Sequence, residues 1–303
     1  MFHQRVSPGV RGPLLSRAGV RGFSRYALAA LLLTTTACAA GPSAGSRYLA
    51  EFAASEARGT TFPHATEVDP ALDMAAAYRL QARIVAARLA KGDAVAGYKG
   101  GLMSEKSLSD RKVSEPLVGA LFRSGDVASG GEVSLCGYRR AAFEVKLGYV
   151  FSAPVTGRID TVEALKARVA SVQPVVDLPD IAYRDDKTYG AIDMAAANIS
   201  SAKFVRGMAQ PKDKTDLDSL AVSIARDGAR VTSGLGRESF GDQWGSLLRV
   251  VNILVANGGT IRPGQIVITG KIGDKGDLPP GEYRADYGPL GQVIFRVRNC
   301  PRA

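Results

Sequence analysis

The sequence predicts an α+β fold built around a mixed or largely antiparallel β-sheet. Helix-like and strand-like segments follow one another without the regular alternation that a doubly wound parallel sheet requires. Apolar residues make up 46% and charged residues 22% of the 303 residues, which is ordinary for a globular protein. We therefore expect a single domain over residues 69–303, preceded by a leader (1–37) and by a tether with a loosely held lead-in (38–68).

The leader has the composition of a secretory signal. It carries five arginines and no acid, then the apolar run 26–33 (YALAALLL), then small residues that end at Cys38. A basic region, a short apolar region and a small-residue exit are typical of signal peptides, and the cysteine that follows resembles a bacterial lipobox. The sequence thus predicts an exported lipoprotein on the periplasmic side of the cell envelope, anchored in the membrane by a lipid on Cys38. An unprocessed leader would instead leave the protein in the cytoplasm.

Charge and cysteine content restrict the classes of partner. Without the five leader arginines the net charge falls from +10 to +5, because 34 basic residues then face 29 acids. No dense Lys/Arg stripe with interleaved aromatics is present, so nucleic acid is not an expected partner. Besides Cys38, only Cys136 and Cys300 remain, which are too few for a zinc cluster. They either pair in an oxidising compartment or are two buried thiols.

Helix signals lie at three places along the chain. Asp69, as a cap, and the proline after it predict a helix that runs to residue 91 and stops at Gly92. A short helix is predicted over residues 160–169, with Asp160 and Glu163 as a capping box. A second long helix is predicted from Asp242 to the glycines after residue 257. The predicted strands cover residues 95–104 (including a glycine-rich turn), 132–138, 141–151, 174–178, 202–208, 265–269 and 292–297.

The strand predicted over residues 141–151 carries the most informative pair of side chains. Glu144 and Lys146 are two positions apart and therefore share one face of the strand. Two carboxylates at such positions could hold one hard divalent cation. The chain supplies only one of them and puts an ammonium in the other place.

Taken in order, these segments resemble the 2-keto-4-pentenoate hydratase branch of the fumarylacetoacetate hydrolase superfamily, which also holds 4-oxalocrotonate decarboxylases. The resemblance covers roughly residues 70–298 and rests on the order and spacing of short motifs rather than on one of them. They are residues 97–104 (GYKGGLMS), 144–147 (EVKL), 174–177 (PVVD) and 264–270 (GQIVITG). The resemblance implies a mixed β-roll with flanking helices. It also implies homo-oligomers, for which the sequence identifies no interface.

The resemblance further implies a metal site and one catalytic lysine, and we expect Lys146 to act in catalysis as well. Glu144 and Asp177 match ligands that would hold Mg²⁺ or Mn²⁺, and Lys99 matches a lysine that neutralises a substrate carboxylate or enolate. Lys146 stands where the family has a second glutamate ligand. Its ammonium either replaces the metal between the two acids and still faces an anionic ligand, or is simply paired to an acid in a vestigial pocket.

The remaining site residues also come from the resemblance. Ser104, Asn198 and Thr269 match positions that we expect to contact the substrate. Leu117 and Ala197 stand where the family has aspartates. A leucine cannot transfer a proton, so the activation of water has no evident residue.

The function implied by the resemblance is that of a hydratase-type lyase. The family adds water to a 2-hydroxydienoate and forms a 4-hydroxy-2-oxo acid, with a cation on the carboxylate and 2-oxo group as electron sink. The implied partner is therefore a small anionic 2-oxo acid. Altered acidic positions and predicted export favour an alternative, a catalytically inactive lipoprotein that binds a small oxo acid or an envelope partner. Lyase or hydrolase chemistry that needs no metal is a third possibility.

Overall fold

Two β-sheets and seven α-helices make up the part of the chain that the computed structural model describes, residues 43–185 and 187–301. The helices are α1 (Ala44–Arg58), α2 (Ala65–Val68), α3 (Met74–Ala90), α4 (Glu105–Arg111), α5 (Val162–Lys166), α6 (Ala191–Ala196) and α7 (Gln243–Ala256). The strands are β1 (Val95–Gly101), β2 (Leu117–Phe122), β3 (Asp126–Ala128), β4 (Glu132–Ser134), β5 (Ala142–Phe151), β6 (Val169–Leu178), β7 (Lys203–Arg206), β8 (Gln210–Pro211), β9 (Ala221–Arg226), β10 (Ala229–Leu235), β11 (Ile266–Ile268), β12 (Ile272–Asp277), β13 (Gly281–Asp286) and β14 (Gln292–Arg298).

The larger sheet is mixed and the smaller one is mostly antiparallel. The larger sheet has the strand order β2-β1-β11-β5-β6-β7-β3, with β12 also paired to β5 and β8 to β6. Its parallel pairs are β1 with β11 and β3 with β7. The smaller sheet has the order β10-β9-β13-β14-β4, in which only β14 and β4 are parallel. This architecture confirms the predicted α+β class with a mixed sheet.

The directions of the strands bring the ends of several strands of the larger sheet together at one edge. β1 is parallel to β11, β11 is antiparallel to β5, and β5 is antiparallel to β6. The last residues of β1, β11 and β6 therefore lie beside the first residues of β5. At this edge Glu144 is directly opposite Asp177 in the register of β5 and β6.

Helix α7 covers the core beside this edge. Leu247, Val250 and Val251 are fully buried against the strands, and Asp242 caps the helix by accepting the N–H groups of Trp244 and Gly245. This confirms the helix predicted from Asp242. The helix predicted from Asp69 instead begins at Met74, because Asp73 provides the cap and accepts the N–H of Ala76 at 2.6 Å.

The lead-in predicted over residues 38–68 is wrong for the part that the structure describes. Residues 44–58 form α1, and its Tyr48 and Phe52 side chains are buried in a second apolar cluster with α3 and α6. Phe52 stacks on Phe62, with ring centroids 4.8 Å apart. The many small residues of this segment concealed an amphipathic helix whose aromatic residues are spaced by four.

The two cysteines of the folded part are joined in a disulfide. Cys136 and Cys300 lie 164 residues apart in sequence and 4.7 Å apart between Cα atoms. The bond connects the segment after β4 to the segment after β14. Cys38, the predicted lipidation site, lies outside the described residues, and within them no helix is long and apolar enough to cross a bilayer.

Candidate active site

A cavity of about 230 Å³ opens at the edge where β1, β5 and β6 meet α4. Its wall includes residues 100–103, Gly270 and apolar residues such as Ile181 and Met194. The cavity is lined by five basic and two acidic residues, so its charge is net positive. The basic side chains that line it are Lys99, Lys146, Lys271, Lys275 and Arg111.

Asp177 is the buried carboxylate behind this cavity. It is fully shielded from solvent, and its Oδ2 lies 2.7 Å from Nζ of Lys99, which is itself 3% exposed. Neither oxygen of Asp177 accepts a hydrogen bond of ordinary geometry within the described residues. The ion pair with Lys99 is therefore the main compensation for the buried charge.

Lys146 lies between the two carboxylates, with its Nζ enclosed by oxygen atoms. Nζ is 3.1 Å from Oε2 of Glu144 and 3.5 Å from Oδ2 of Asp177, and it donates to the carbonyl of Gly100 at 3.0 Å. Burial alone would lower the pKa of Lys146, but the attraction of Glu144 and then of Asp177 outweighs it and raises the pKa. Burial raises the pKa of Glu144, while Lys146 and Lys99 lower it further than burial raises it. Both partners thus stay charged at neutral pH.

The opposite wall of the cavity is built from stacked aromatic rings and an arginine. The rings of Tyr183 and Tyr189 stack with centroids 4.2 Å apart, and the guanidinium of Arg111 lies 4.3 Å from the Tyr189 centroid. Arg111 also donates to the Tyr189 carbonyl. The hydroxyl of Tyr183 accepts a hydrogen bond from Ser200 at 3.1 Å, and burial raises its pKa. Tyr183 is therefore a neutral phenol, and its O–H has no acceptor among the described residues.

The sequence did not single out Arg111, Tyr183 or Tyr189 as site residues. All three lie on segments that the sequence leaves unassigned: Arg111 ends α4, and the tyrosines follow β6. The two tyrosines lie in an irregular segment between β6 and α6, so no helical or strand pattern singles them out. Only the tertiary fold brings α4 onto this segment.

Of the predicted site residues, four line the cavity. These are Lys99, Ser104, Glu144 and Lys146, with Asp177 directly behind them. Ser104 is also the cap of α4, where its Oγ accepts the N–H of Ser107 at 3.2 Å. Its hydroxyl is thus partly committed to holding the helix start in place.

Asn198 and Thr269 lie elsewhere and differ from the prediction. The Asn198 amide is buried and bonds both to the N–H (2.7 Å) and to the carbonyl (3.0 Å) of Ala120 in β2. The hydroxyl of Thr269 donates to Oε1 of Gln243 at 2.8 Å, in a buried contact with α7. Both side chains satisfy groups of the fold and do not reach the cavity wall.

No described acid on the cavity wall is free to act as a base. Glu144 is held by Lys146, and the two oxygens of Glu238 accept the N–H groups of Leu235 and Gly273 at 3.0 and 2.7 Å. Leu117, which stands where the family has an aspartate, is buried among apolar side chains. A proton acceptor for water must therefore come from another kind of group.

The residues present do not fit the divalent cation that the resemblance implies. Within residues 43–185 and 187–301, no three Asp, Glu, His or Cys side chains come together as metal ligands. An ion that bridges Glu144 and Asp177 would have to displace Nζ of Lys146. At about 4 Å and an effective dielectric near 20, a divalent ion and an ammonium repel by about 8 kcal/mol.

Comparison with known proteins identifies decarboxylases and hydratases among the relatives of this chain. No family model matches the chain. A 4-oxalocrotonate decarboxylase from Pseudomonas sp. (strain CF600) is 30% identical over 222 residues, which cover 73% of this chain and 83% of that protein. A 2-keto-4-pentenoate hydratase from Burkholderia vietnamiensis (strain G4 / LMG 22486) is 28% identical over 242 residues, or 78% and 91% of the two chains.

A solved structure shares both the fold and this range of identity. The 4-oxalocrotonate decarboxylase from Pseudomonas putida G7, complexed with magnesium and adipate, superposes with a TM-score of 0.79 at 26% identity. The match covers 83% of this chain and 96% of that one. A second structure of that enzyme is complexed with calcium and acetate and has a TM-score of 0.77. Both structures of that enzyme thus contain a divalent cation.

Proposed function

Because the chain belongs to the 2-keto-4-pentenoate hydratase and 4-oxalocrotonate decarboxylase branch of the fumarylacetoacetate hydrolase superfamily, we propose that it is a lyase acting on a small unsaturated 2-oxo acid. The default reaction is that of a hydro-lyase, which adds water to a 2-hydroxydienoate. The named activities of the relatives support the class of reaction. The proposed substrate and the individual steps rest on the side chains of this chain.

The cationic cavity is the observation that carries the proposal. Its volume of about 230 Å³ lies below the range of about 300–1,000 Å³ that is usual for drug-sized ligands, so it suits a small acid. Lys99 and Lys146 are buried at its inner end, whereas Lys271 and Lys275 are exposed at its rim. Such a distribution attracts an anion and places its carboxylate and 2-oxo oxygen against fixed positive charge.

The proton-transfer step is assigned to Tyr183. Its phenol is neutral and faces the cavity, and Ser200 fixes its oxygen. In the proposed reaction, Lys99 and Lys146 stabilise the negative charge that develops on the 2-oxo oxygen, and the neutral phenol of Tyr183 delivers a proton to the substrate carbon and regains one from solvent. Arg111, held flat on Tyr189, is positioned to hold the far end of the substrate.

Decarboxylation is a second candidate, and the lack of a free base favours it. Loss of carbon dioxide needs an electron sink and a proton for the carbanion, but no activated water. Leu117 cannot activate water, and the described carboxylates on the wall are already engaged. The named activity of the relative at 30% identity agrees with this candidate.

Turnover of two substrates distinguishes these candidates. The purified protein is incubated with 2-hydroxypenta-2,4-dienoate and with 4-oxalocrotonate, and the dienoate absorbance and the release of carbon dioxide are followed. Loss of the dienoate with formation of a 4-hydroxy-2-oxo acid is expected for the hydratase, and carbon dioxide release for the decarboxylase. If neither reaction runs faster with the protein than in buffer alone, the lyase proposal is overturned. That result would restore the inactive binding protein, an alternative that the comparisons do not support.

Export and lipid anchoring at Cys38 form a separate part of the proposal. The disulfide between Cys136 and Cys300 supports it, because such bonds persist chiefly in oxidising compartments. We expect the protein to carry labelled fatty acid and to be found in the membrane fraction. We expect the Cys38→Ala variant to lose both the label and the membrane association. An unlabelled protein that stays in the cytoplasm would instead favour an unprocessed leader. Homo-oligomerisation stays a prediction that light scattering would measure.

A further inference from the structure

The place between Glu144 and Asp177 holds a cation that belongs to the chain itself. Nζ of Lys146 has three oxygen neighbours at 3.0, 3.1 and 3.5 Å, from Gly100, Glu144 and Asp177. An ammonium has three N–H donors and no acceptor. The geometry around Nζ is therefore that of a small cation site made of oxygen atoms.

The charges of this cluster already balance without a metal ion. Two carboxylates, Glu144 and Asp177, face two ammonium groups, Lys99 and Lys146, and three of the four side chains are almost fully shielded from water. The side chain of Glu144, at 21%, is the most exposed of them. A divalent ion added here would leave an excess of two positive charges in a poorly solvated space, which is costly.

One of the three N–H donors of Lys146 makes only a long contact, which indicates how the cluster can bind a ligand. The contacts to Glu144 and Gly100 are of ordinary hydrogen-bond length, whereas the contact to Asp177 is 3.5 Å, and Asp177 is more tightly engaged by Lys99 at 2.7 Å. The third N–H of Lys146 is therefore the one that a ligand oxygen can take. Lys146 lines the cavity, so this ligand enters from the cavity side.

We propose that the ammonium of Lys146 takes the place of the divalent cation and, with Lys99, forms a metal-independent site for the carboxylate and 2-oxo oxygens of a small acid. The assignment rests on the proposed function for the substrate class. It concerns binding and charge stabilisation, and no bond forms between the lysine and the acid. The relatives complexed with magnesium or calcium and this chain would thus reach the same electrostatic result by different cations.

The test uses the full-length protein, freed of metal, with pyruvate as probe and Mn²⁺ as reporter ion. We expect the wild-type protein to bind pyruvate with the same affinity in EDTA and in excess Mg²⁺, and to bind no stoichiometric Mn²⁺ by calorimetry or electron paramagnetic resonance. Binding of one Mn²⁺ per chain together with loss of pyruvate binding in EDTA would overturn the proposal. This arm needs no variant and therefore does not depend on how substitutions fold.

Two substitutions at the same position sharpen the result. Lys146→Met is expected to weaken pyruvate binding by about 10- to 100-fold, as removal of a hydrogen bond from a charged donor does. Lys146→Glu places a third carboxylate beside Glu144 and Asp177 and is expected to bind one Mn²⁺ per chain. The matched control is Lys106→Glu on the exposed side of α4, where both measurements should match the wild type.

Three further outcomes separate this assignment from the lyase proposal. Unchanged pyruvate binding in Lys146→Met would overturn the assignment, and so would borohydride reduction that fixes pyruvate covalently to Lys146, because trapping requires an imine. Metal-independent binding of pyruvate without turnover of any dienoate would support the assignment while removing the lyase proposal.

Discussion

At the scale of single residues, the site depends on four charged groups that neutralise one another. Strand periodicity alone was enough to place Glu144 and Lys146 on one face, because alternate residues of a strand share a side. It could not show that Asn198 and Thr269 are used by the fold. That depends on which backbone groups remain unpaired after the sheet forms, as the N–H and carbonyl of Ala120 would without Asn198.

The ion pair between Lys99 and Asp177 should be costly to break. Lys99→Met leaves a buried carboxylate with only the longer contact to Lys146, so we expect a loss of about 3 kcal/mol in the free energy of unfolding. Urea denaturation measures it, with Lys106→Met in the exposed pair with Asp110 as the matched control. A Lys99→Met protein as stable as the control would contradict the pairing described here.

Asn198 should contribute to stability through both its amide and its backbone. Asn198→Ala leaves the N–H and carbonyl of Ala120 unpaired, at about 1–3 kcal/mol for each group. It also places an alanine at a φ of +53°, which adds about 1 kcal/mol. We expect Asn198→Gly to recover only that backbone part in chemical denaturation. Equal stability of all three proteins would contradict the structural role described here for Asn198.

At the scale of elements, a single clear cap allowed the start of a helix to be predicted from the sequence. The start of α7 was predictable because Asp242 is followed by a periodic apolar run, whereas α3 has two candidate caps, Asp69 and Asp73. Strands β2, β3, β8, β9, β10, β12 and β13 were not predicted. They carry exposed, polar or glycine-containing stretches whose pairing is set by neighbouring strands rather than by local periodicity.

Helix α1 should behave as part of the core and not as a tether. Phe52→Ala removes a ring that is 4% exposed and stacked on Phe62, so we expect a loss of about 3–5 kcal/mol in unfolding free energy. The control is Leu89→Ala on α3, where the side chain is 42% exposed and the change should be small. If both variants unfold with the wild-type midpoint in urea, α1 does not pack on the domain.

At the scale of the whole molecule, sheet topology assembles the site. Lys99, Glu144 and Asp177 are distant in sequence and meet because the ends of β1, β5 and β6 lie at one edge, and Tyr183 follows Asp177 by six residues. A single sequence gives no strand order, so only the family resemblance connected the first three residues. It did not extend to Tyr183, which follows β6 in a segment outside the motifs.

The disulfide also acts at this scale, because it closes a loop over more than half of the chain. Replacing Cys136 and Cys300 together with serine should lower the free energy of unfolding by about 2–5 kcal/mol. The comparison is made in urea against the oxidised wild-type protein, and the wild-type protein in reductant should move towards the double variant. An unchanged midpoint in both cases would mean that the bond does not form in solution.

The most direct measurement is turnover in the presence and absence of a chelator. The protein is assayed with 2-hydroxypenta-2,4-dienoate and 4-oxalocrotonate, first in EDTA and then in excess Mg²⁺. Because Lys146 supplies the cation between Glu144 and Asp177, we expect the same rate in both conditions, and we expect Lys146→Met to lose it. Activity that disappears in EDTA and returns with Mg²⁺ would show that the lysine leaves the site and that a metal ion provides the positive charge there.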